Sequence, residues 1–334
     1  MPQFRQNIIL KEWVVIATER AKRPEQLKEH KAATAEALPA HDENCPFCPK
    51  TAHTHEEKEF LRVPEKGAWK LRAVANRYPA LEPPGDNIHV YTEGFFRWMD
   101  GVGHHEVIVE TPRHNTTLAT MTVEEVETVV AAYRTRYVEL SKMDYIETII
   151  PFRNHGPRAG ASIPHPHSQI IALPVIPRDV MTRLNEAIRY HEEHRGCVFC
   201  KVMNNELEVD ERVVMETPGF VSFVPYAAAS PFHMWVYPKK HSSDFWTISD
   251  EEVADLAHVL RGTLRKLYIG LNDPDYNFIV RSAPRGYGNS EFFHWYITIV
   301  PRLTRTAGFE LGTGMFINPS IPEQDAEYLR SVKI

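Results

Sequence analysis

The chain has 334 residues, enough for two domains of ordinary size, and its 43% hydrophobic and 25% charged content is that of a soluble globular protein. A formal net charge of −6 excludes a broad basic surface for nucleic acid, and no apolar run is long enough to span a bilayer. The N-terminal segment lacks the apolar core of a signal peptide, which predicts a cytoplasmic protein; in that compartment four cysteines among 17 histidines point to metal binding rather than to disulfides.

In chain order, Arg20 and Arg23 stand just ahead of Pro24, where two guanidinium groups could neutralise a phosphate, although such a pair alone is more often solvated surface. Residues 26–44 have little apolar periodicity and read as a loop. Cys45-Pro-Phe-Cys48 then supplies a first pair of thiolates. Residues 82–104, rich in Pro, Gly and aromatics, read as an irregular excursion. A strand over 106–110 leads to His114. Thr122-Val-Glu-Glu125 is a capping box; the helix it opens carries Val126, Val129, Val130, Tyr133 and Tyr137 on one stripe. A strand over 145–152 ends in Asn154-His155-Gly156. With Gly160-Ala161-Ser162 this forms a small polar loop able to offer backbone N–H groups and a hydroxyl to phosphate. The segment His165-Pro166-His167-Ser168-Gln169 follows, and a helix is predicted from about Asp179, with a domain boundary near 193–196.

The second half repeats this order. Cys197-Val-Phe-Cys200 is followed by a strand over 233–237 and by His241. Ser249-Asp-Glu-Glu252 is again a capping box, opening a helix striped with Val253, Leu256, Leu260 and Leu264. A strand over 277–281 and a Gly- and Pro-containing loop over 282–290 then lead to His294. Each Cys-x-x-Cys pair needs two further ligands to close a tetrahedral zinc site. His114 and His165, 51 residues apart, match His241 and His294, 53 apart, in register with the capping boxes. The pattern predicts an α+β protein of two duplicated halves, residues 1–195 and 196–334, each an antiparallel sheet with packed helices. Each half should hold one zinc: Cys45, Cys48, His114 and His165 in the first, Cys197, Cys200, His241 and His294 in the second.

The halves differ two residues beyond the last ligand. Residues i and i+2 share a face of a strand, so His167 and Tyr296 occupy equivalent places. Only the first half keeps an imidazole there, which marks His167 as the chemical residue. A neutral imidazole is nucleophilic near pH 7, and the phosphoramidate it forms can pass its phosphoryl group onward. Gln169 could donate an N–H to a non-bridging phosphoryl oxygen. A His–Gln pair on a strand is more commonly ordinary polar packing.

Together, Glu12-Trp13-Val14-Val15 with Ala21-Lys22-Arg23-Pro24, Cys45-Pro-Phe-Cys48, Asn154-His155-Gly156, Gly160-Ala161-Ser162 and His165-Pro166-His167-Ser168-Gln169 resemble the galactose-1-phosphate uridylyltransferase family of the histidine-triad superfamily. The resemblance spans nearly the whole chain. It implies two histidine-triad-like halves, a homodimer, and ping-pong transfer in which His167 attacks the α-phosphorus of a nucleoside diphosphate sugar. It further implies that Gln169 and Ser162 contact the transferring phosphates, that Arg20, Arg23, Asn76, Asn154, Gly160 and Ser168 belong to the substrate site, and that Cys45, Cys48, His114 and His165 hold zinc.

The chain departs from the family pattern at several places. Arg77 follows Asn76 where Asp is usual, and Ser168 replaces the commoner Gly or Cys. The hexose-gripping Lys-Phe-x-Val-x-Tyr-Glu stretch is here Gly308-Phe309-Glu310-Leu311-Gly312-Thr313-Gly314, so of its named residues only Phe309 remains for a substrate contact. That tail, with Ile317-Asn318-Pro319 and Ala172-Leu173-Pro174-Val175, resembles a branch that includes the plant ADP-glucose phosphorylases, whose second half also binds zinc. From the family resemblance the expected activity is UDP-glucose–hexose-1-phosphate uridylyl transfer, although the missing hexose-gripping residues favour that branch. The alternatives are adenylyl transfer from ADP-glucose to inorganic phosphate, and a nucleotide-binding zinc protein without turnover.

Overall fold

The computed structural model describes residues 1–19, 37–50, 58–85 and 88–334. The chain opens with a hairpin, β1 (Gln3–Gln6) and β2 (Trp13–Ile16). The first half supplies β3 (Glu59–Val63), β4 (Leu71–Ala75), a small hairpin of β5 (Val90–Glu93) and β6 (Phe96–Met99), then β7 (His104–Val109), α1 (Val123–Ser141), β8 (Thr148–His155) and β9 (His167–Leu173). Helix α2 (Arg178–His194) connects it to the second half: α3 (Val198–Val209), β10 (Val213–Glu216), β11 (Phe220–Phe223), β12 (Met234–Pro238), α4 (Asp250–Leu271), β13 (Tyr276–Arg281) and β14 (Tyr296–Pro301). The chain closes with α5 (Gly308–Thr313), β15 (Phe316–Asn318) and α6 (Pro322–Ser331).

The main sheet has ten strands in the order β10-β11-β12-β14-β13-β8-β9-β7-β4-β3. That order reads alike from both ends. Strand β8 corresponds to β13, β9 to β14 and β7 to β12, and the halves join where β8 and β13 pair antiparallel, Phe152 opposite Ile279 and His155 opposite Tyr276. The duplicated α+β architecture predicted from spacing is thus one continuous sheet. Helices α1 and α4 pack against each other and on the sheet. Both begin with the predicted capping box: Thr122 Oγ1 accepts from Glu125 N–H and Ser249 Oγ from Glu252 N–H, while each Glu carboxylate accepts from the cap residue's N–H. Their predicted stripes are buried in a shared core with Ile170, Ala172, Ile297 and Ile299.

One element differs from the sequence reading and two were not foreseen in it. Residues 90–99, within the expected irregular excursion, form the β5–β6 hairpin, whose aromatics Phe95, Phe96 and Trp98 are exposed. The second cysteine pair runs into a helix: Cys197 is the N-cap of α3, which carries Cys200. The N-terminal hairpin does not join the sheet of the half it precedes; β2 pairs parallel with β15, and Arg5 forms an ion pair with Glu323 of α6 at 2.8 Å.

Candidate active site and metal centres

Strand β9 presents its two faces to different surroundings. On one face Ile170 and Ala172 join the helix-covered core; on the other stand His167, at the first position of the strand, and Gln169. His167 is 8% exposed, packed 5.3 Å from the Phe47 ring of the first Cys-x-x-Cys loop. Its Nδ1 lies 2.8 Å from the His165 carbonyl oxygen. A carbonyl only accepts, so Nδ1 carries the proton and Nε2 keeps its lone pair. Burial lowers the pKa of this imidazole, with the His165 carbonyl acting in the opposite sense. The neutral, nucleophilic form therefore prevails at neutral pH.

Gln169 is held by a residue the sequence reading did not single out. His105 Nε2 lies 2.7 Å from Gln169 Oε1, and His105 Nδ1 accepts from the Ala80 N–H at 3.1 Å. With Nδ1 accepting, Nε2 donates, so the Gln169 carbonyl oxygen is occupied and its NH2 group is turned outward. The predicted Asn76 lies beside this cluster: its Nδ2 is 3.1 Å from His105 Nε2, two donors that make no hydrogen bond to each other in this tautomer, and its Oδ1 accepts from the Tyr78 N–H. A signal for His105 was present, since His233 stands at the matching place in the repeat, and His233 Nε2 meets Thr298 Oγ1, also at 2.7 Å.

The polar loop after β8 is pinned from the second half. Asn154 Oδ1 accepts from Asn277 Nδ2 at 2.7 Å, His155 Nε2 meets Asp273 Oδ1 at 2.7 Å, and Arg158 N–H donates to Asp275. Gly156 is required there: it lies at φ +80°, and a Cβ would fall 2.1 Å from Asp275 Oδ1. Gly160 adopts a left-handed conformation, its N–H donating to the Pro157 carbonyl, and Ser162 is exposed three residues ahead of His165.

Two predicted substrate contacts are placed elsewhere. Ser168 is fully buried on the opposite face from His167, because alternate residues of a strand point to opposite sides. There its hydroxyl donates to Glu110, which also pairs with Arg153 at 3.0 Å and accepts from Tyr133; Arg153 in turn reaches Tyr276 Oη at 3.0 Å. Ser168 thus belongs to a buried polar network behind the strand. Phe309 is half-exposed on α5, which neighbours β15 in the sheet of the N-terminal hairpin and not β9. Arg20 and Arg23 lie outside the described residues.

Both cysteine–histidine quartets assemble. The ligand atoms of Cys45, Cys48, His114 and His165 lie within 4.8 Å of one another, as do those of Cys197, Cys200, His241 and His294. Their environment fits a metal. His165 Nε2 donates to the Thr111 carbonyl at 2.7 Å, His294 Nε2 to that of Pro238 at 2.9 Å, and His241 Nε2 to that of Ser290 at 3.0 Å, leaving each Nδ1 lone pair aimed at a sulfur. Burial pushes His165 and His294 down to about 3, so protons do not compete for those rings near neutrality. Backbone N–H groups of Asp42 and Phe47 meet the sulfurs of Cys48 and Cys45, and all four thiols are free of disulfides.

The sequence matches the family descriptions "Galactose-1-phosphate uridyl transferase, N-terminal domain" over residues 1–177 and "C-terminal domain" over 183–333. An ADP-glucose phosphorylase of Arabidopsis thaliana is 36% identical, covering 100% of this chain and 93% of its own length. A galactose-1-phosphate uridylyltransferase of Thermotoga maritima is 32% identical, covering 100% and 99%. Among solved structures, that of an Arabidopsis thaliana ADP-glucose phosphorylase with bound ADP-glucose superposes with a TM-score of 0.84 at 34% identity, over 100% of this chain and 99% of that one. These likenesses place the chain, by class, among the nucleotidyltransferases. More narrowly, it belongs to the galactose-1-phosphate uridylyltransferase family.

Proposed function

We propose that the protein transfers a nucleoside monophosphate by a ping-pong route through nucleotidyl-His167, with UDP-glucose as donor and a hexose 1-phosphate as acceptor. The observation that carries this reading is the tautomer of His167, whose Nδ1–H donates to the His165 carbonyl and frees Nε2. Nε2 attacks the α-phosphorus, the P–N bond forms, and the bond from that phosphorus to the bridging oxygen breaks, releasing the sugar 1-phosphate. The ring becomes cationic at Nδ1, where the His165 carbonyl dipole stabilises it, so no proton has to move. An oxygen of the incoming phosphate then attacks the same phosphorus, and the P–N electrons return to Nε2. The NH2 group of Gln169 donates to a non-bridging oxygen throughout. Ser162, Gly160 and Asn154 face the flanking phosphate and sugar, Asn76 the nucleoside, and Arg20 and Arg23 add positive charge.

Zinc is proposed in both quartets, where it would lock the Phe47 loop and His165 around the nucleophile in the first half and brace the second. Four free thiols suit a reducing cytoplasm, and among the described residues no helix is long and apolar enough to cross a membrane. A homodimer would cover the exposed aromatics of the β5–β6 hairpin. The proposed division into halves falls between residues 195 and 196, a position supported by the end of α2 at His194.

A second reading keeps the chemistry and changes the partners: ADP-glucose as donor and inorganic phosphate as acceptor. It is favoured by residues 308–314, which lack the family's hexose-gripping Lys, Tyr and Glu, and by the 36% identity to an ADP-glucose phosphorylase. Incubation with UDP-glucose or ADP-glucose, followed by intact-mass measurement, separates the two by a UMP or an AMP adduct on His167. An adduct with neither, or sugar-phosphate exchange that survives His167→Ala, rejects the covalent route.

A further inference from the structure

The second half contains a cavity of about 350 Å³ at the place that corresponds to the catalytic site in the first. In the first half the register sets Phe152 opposite Gln169, with Asn154 two residues beyond toward His167. In the second it sets Ile279 opposite Thr298 and Arg281 opposite Tyr296. Tyr296 therefore stands for His167, Thr298 for Gln169, Arg281 for Asn154 and His233 for His105. All four of these second-half residues line the cavity.

Its charges are only partly balanced. Arg183 of α2 donates to Tyr296 Oη at 3.3 Å and pairs with Asp179 at 2.8 Å. Glu310 is engaged in capping α5, accepting from the Ala307 N–H at 3.0 Å. Glu12 is the third carboxylate on the wall, and burial raises its pKa, which favours its neutral form. Arg302 and Arg305 lie at the exposed edge. Among the described residues Arg281 makes no direct ion pair, the Asp179 carboxylate acting on it only at longer range, and its Nε is shut off from solvent without a hydrogen-bond partner. His233 Nδ1 is likewise without a partner, although its counterpart in His105 is satisfied by a backbone N–H. Burial and the neighbouring Arg183 hold the Arg281 pKa below its ordinary value, with Tyr296 and Asp179 acting in the opposite sense. A buried guanidinium without a directly bonded counter-charge is costly, and a bidentate oxyanion would satisfy it. Trp13, Trp235 and Phe316 give the cavity an aromatic wall, and its volume suits a small organic phosphate.

We propose that the second half retains a non-reactive binding site for a phosphate-bearing ligand of mononucleotide size, gripped by Arg281 and Arg183, with Tyr296 in place of the nucleophile. It rests on the proposed function only in taking a nucleotide as the model ligand. The zinc-loaded protein would be titrated by equilibrium dialysis with AMP, UMP, glucose 1-phosphate and orthophosphate. Two sites per chain are expected for at least one of them. Arg281→Gln should weaken one site about 10- to 100-fold, the scale of a lost charge-assisted hydrogen bond, and leave nucleotidylation of His167 unchanged. Arg305→Gln, at the exposed edge, serves as a second variant that leaves the core intact and should weaken the same site. Orthophosphate alone filling the site would identify the phosphate group as sufficient; a requirement for AMP or UMP would identify a nucleotide. The proposal is overturned if every ligand saturates at one site per chain, or if both sites survive the two substitutions. Arg281-dependent binding in a protein that forms no His167 adduct would sustain this site and reject the covalent route instead.

Discussion

In the first half, strand β9 shows His167 and Gln169 to one side and buries Ser168 against Glu110, Arg153 and Tyr133 on the other. In the second half, β14 shows Tyr296 and Thr298, and the residue behind them is Ile297, packed in the apolar core. The two strands have corresponding neighbours and an adjacent cysteine–histidine quartet, so the scaffold does not distinguish the half proposed for chemistry from the half proposed for binding. The differences are confined to the residue at the nucleophile position, its flanking partners and the polarity of what lies behind. A buried ion pair is weak evidence for stability; its presence behind only one strand suggests a task tied to the chemistry, such as holding β9 in a single position.

The largest effect should come from the nucleophile. His167→Ala should lower turnover about 10⁴-fold or more, measured by sugar-phosphate exchange, whereas Tyr296→Phe should leave exchange within about twofold; equal losses would erase the distinction between the halves. Next comes the network behind β9. Glu110→Ala leaves Arg153 buried and unpaired and should cost about 3–5 kcal/mol in urea denaturation, while Ile297→Val in the second half should cost only about 1 kcal/mol. A smaller change is expected at the positioning pair. His105→Ala should lower kcat about tenfold with little change in KM, yet cause no further loss in a Gln169→Ala background, and His105→Gln should restore part of the rate. Additive losses would mean that His105 acts on structure and not through Gln169.

The smallest effect is a pH dependence centred on the second half. Burial, with Arg281 and Arg183 nearby, pushes His233 down to about 4 from its ordinary 6.5. Below pH 6.5 the unfolded chain binds a proton that the folded one refuses, so stability is full above that pH and falls as pH drops toward 4. His233→Gln should remove at most about 3 kcal/mol of that slope, read from urea midpoints between pH 4.5 and 7.5. A slope unchanged by the substitution would assign the acid sensitivity to other groups.

Local signals are legible in the sequence. Both capping boxes, both helix stripes and both cysteine–histidine quartets follow from spacing, because their partners lie at fixed offsets or repeat. The strand alternation that pairs His167 with Tyr296 was also readable. The orientation of Ser168 was not drawn from that same alternation, and its partners Glu110 and Arg153 lie far away in sequence, where no periodicity links them. His105 was missed because one imidazole at a strand start carries no signal alone, and only mapping onto His233 across the repeat reveals it. The β8–β13 junction was hidden as well: an alternating strand shows which face it buries, not which edge it offers.

The clasp between the chain ends has a consequence for the order of assembly. Strand β2 finds its parallel partner in β15 and Arg5 its carboxylate in Glu323, contacts that span nearly the whole polypeptide. During synthesis the β1–β2 hairpin can form at once, but the free edge of β2 has to wait for β15, about 300 residues later. Closing so long a loop is entropically costly and slow, so the ten-stranded sheet can form first and the ends fasten onto it afterwards.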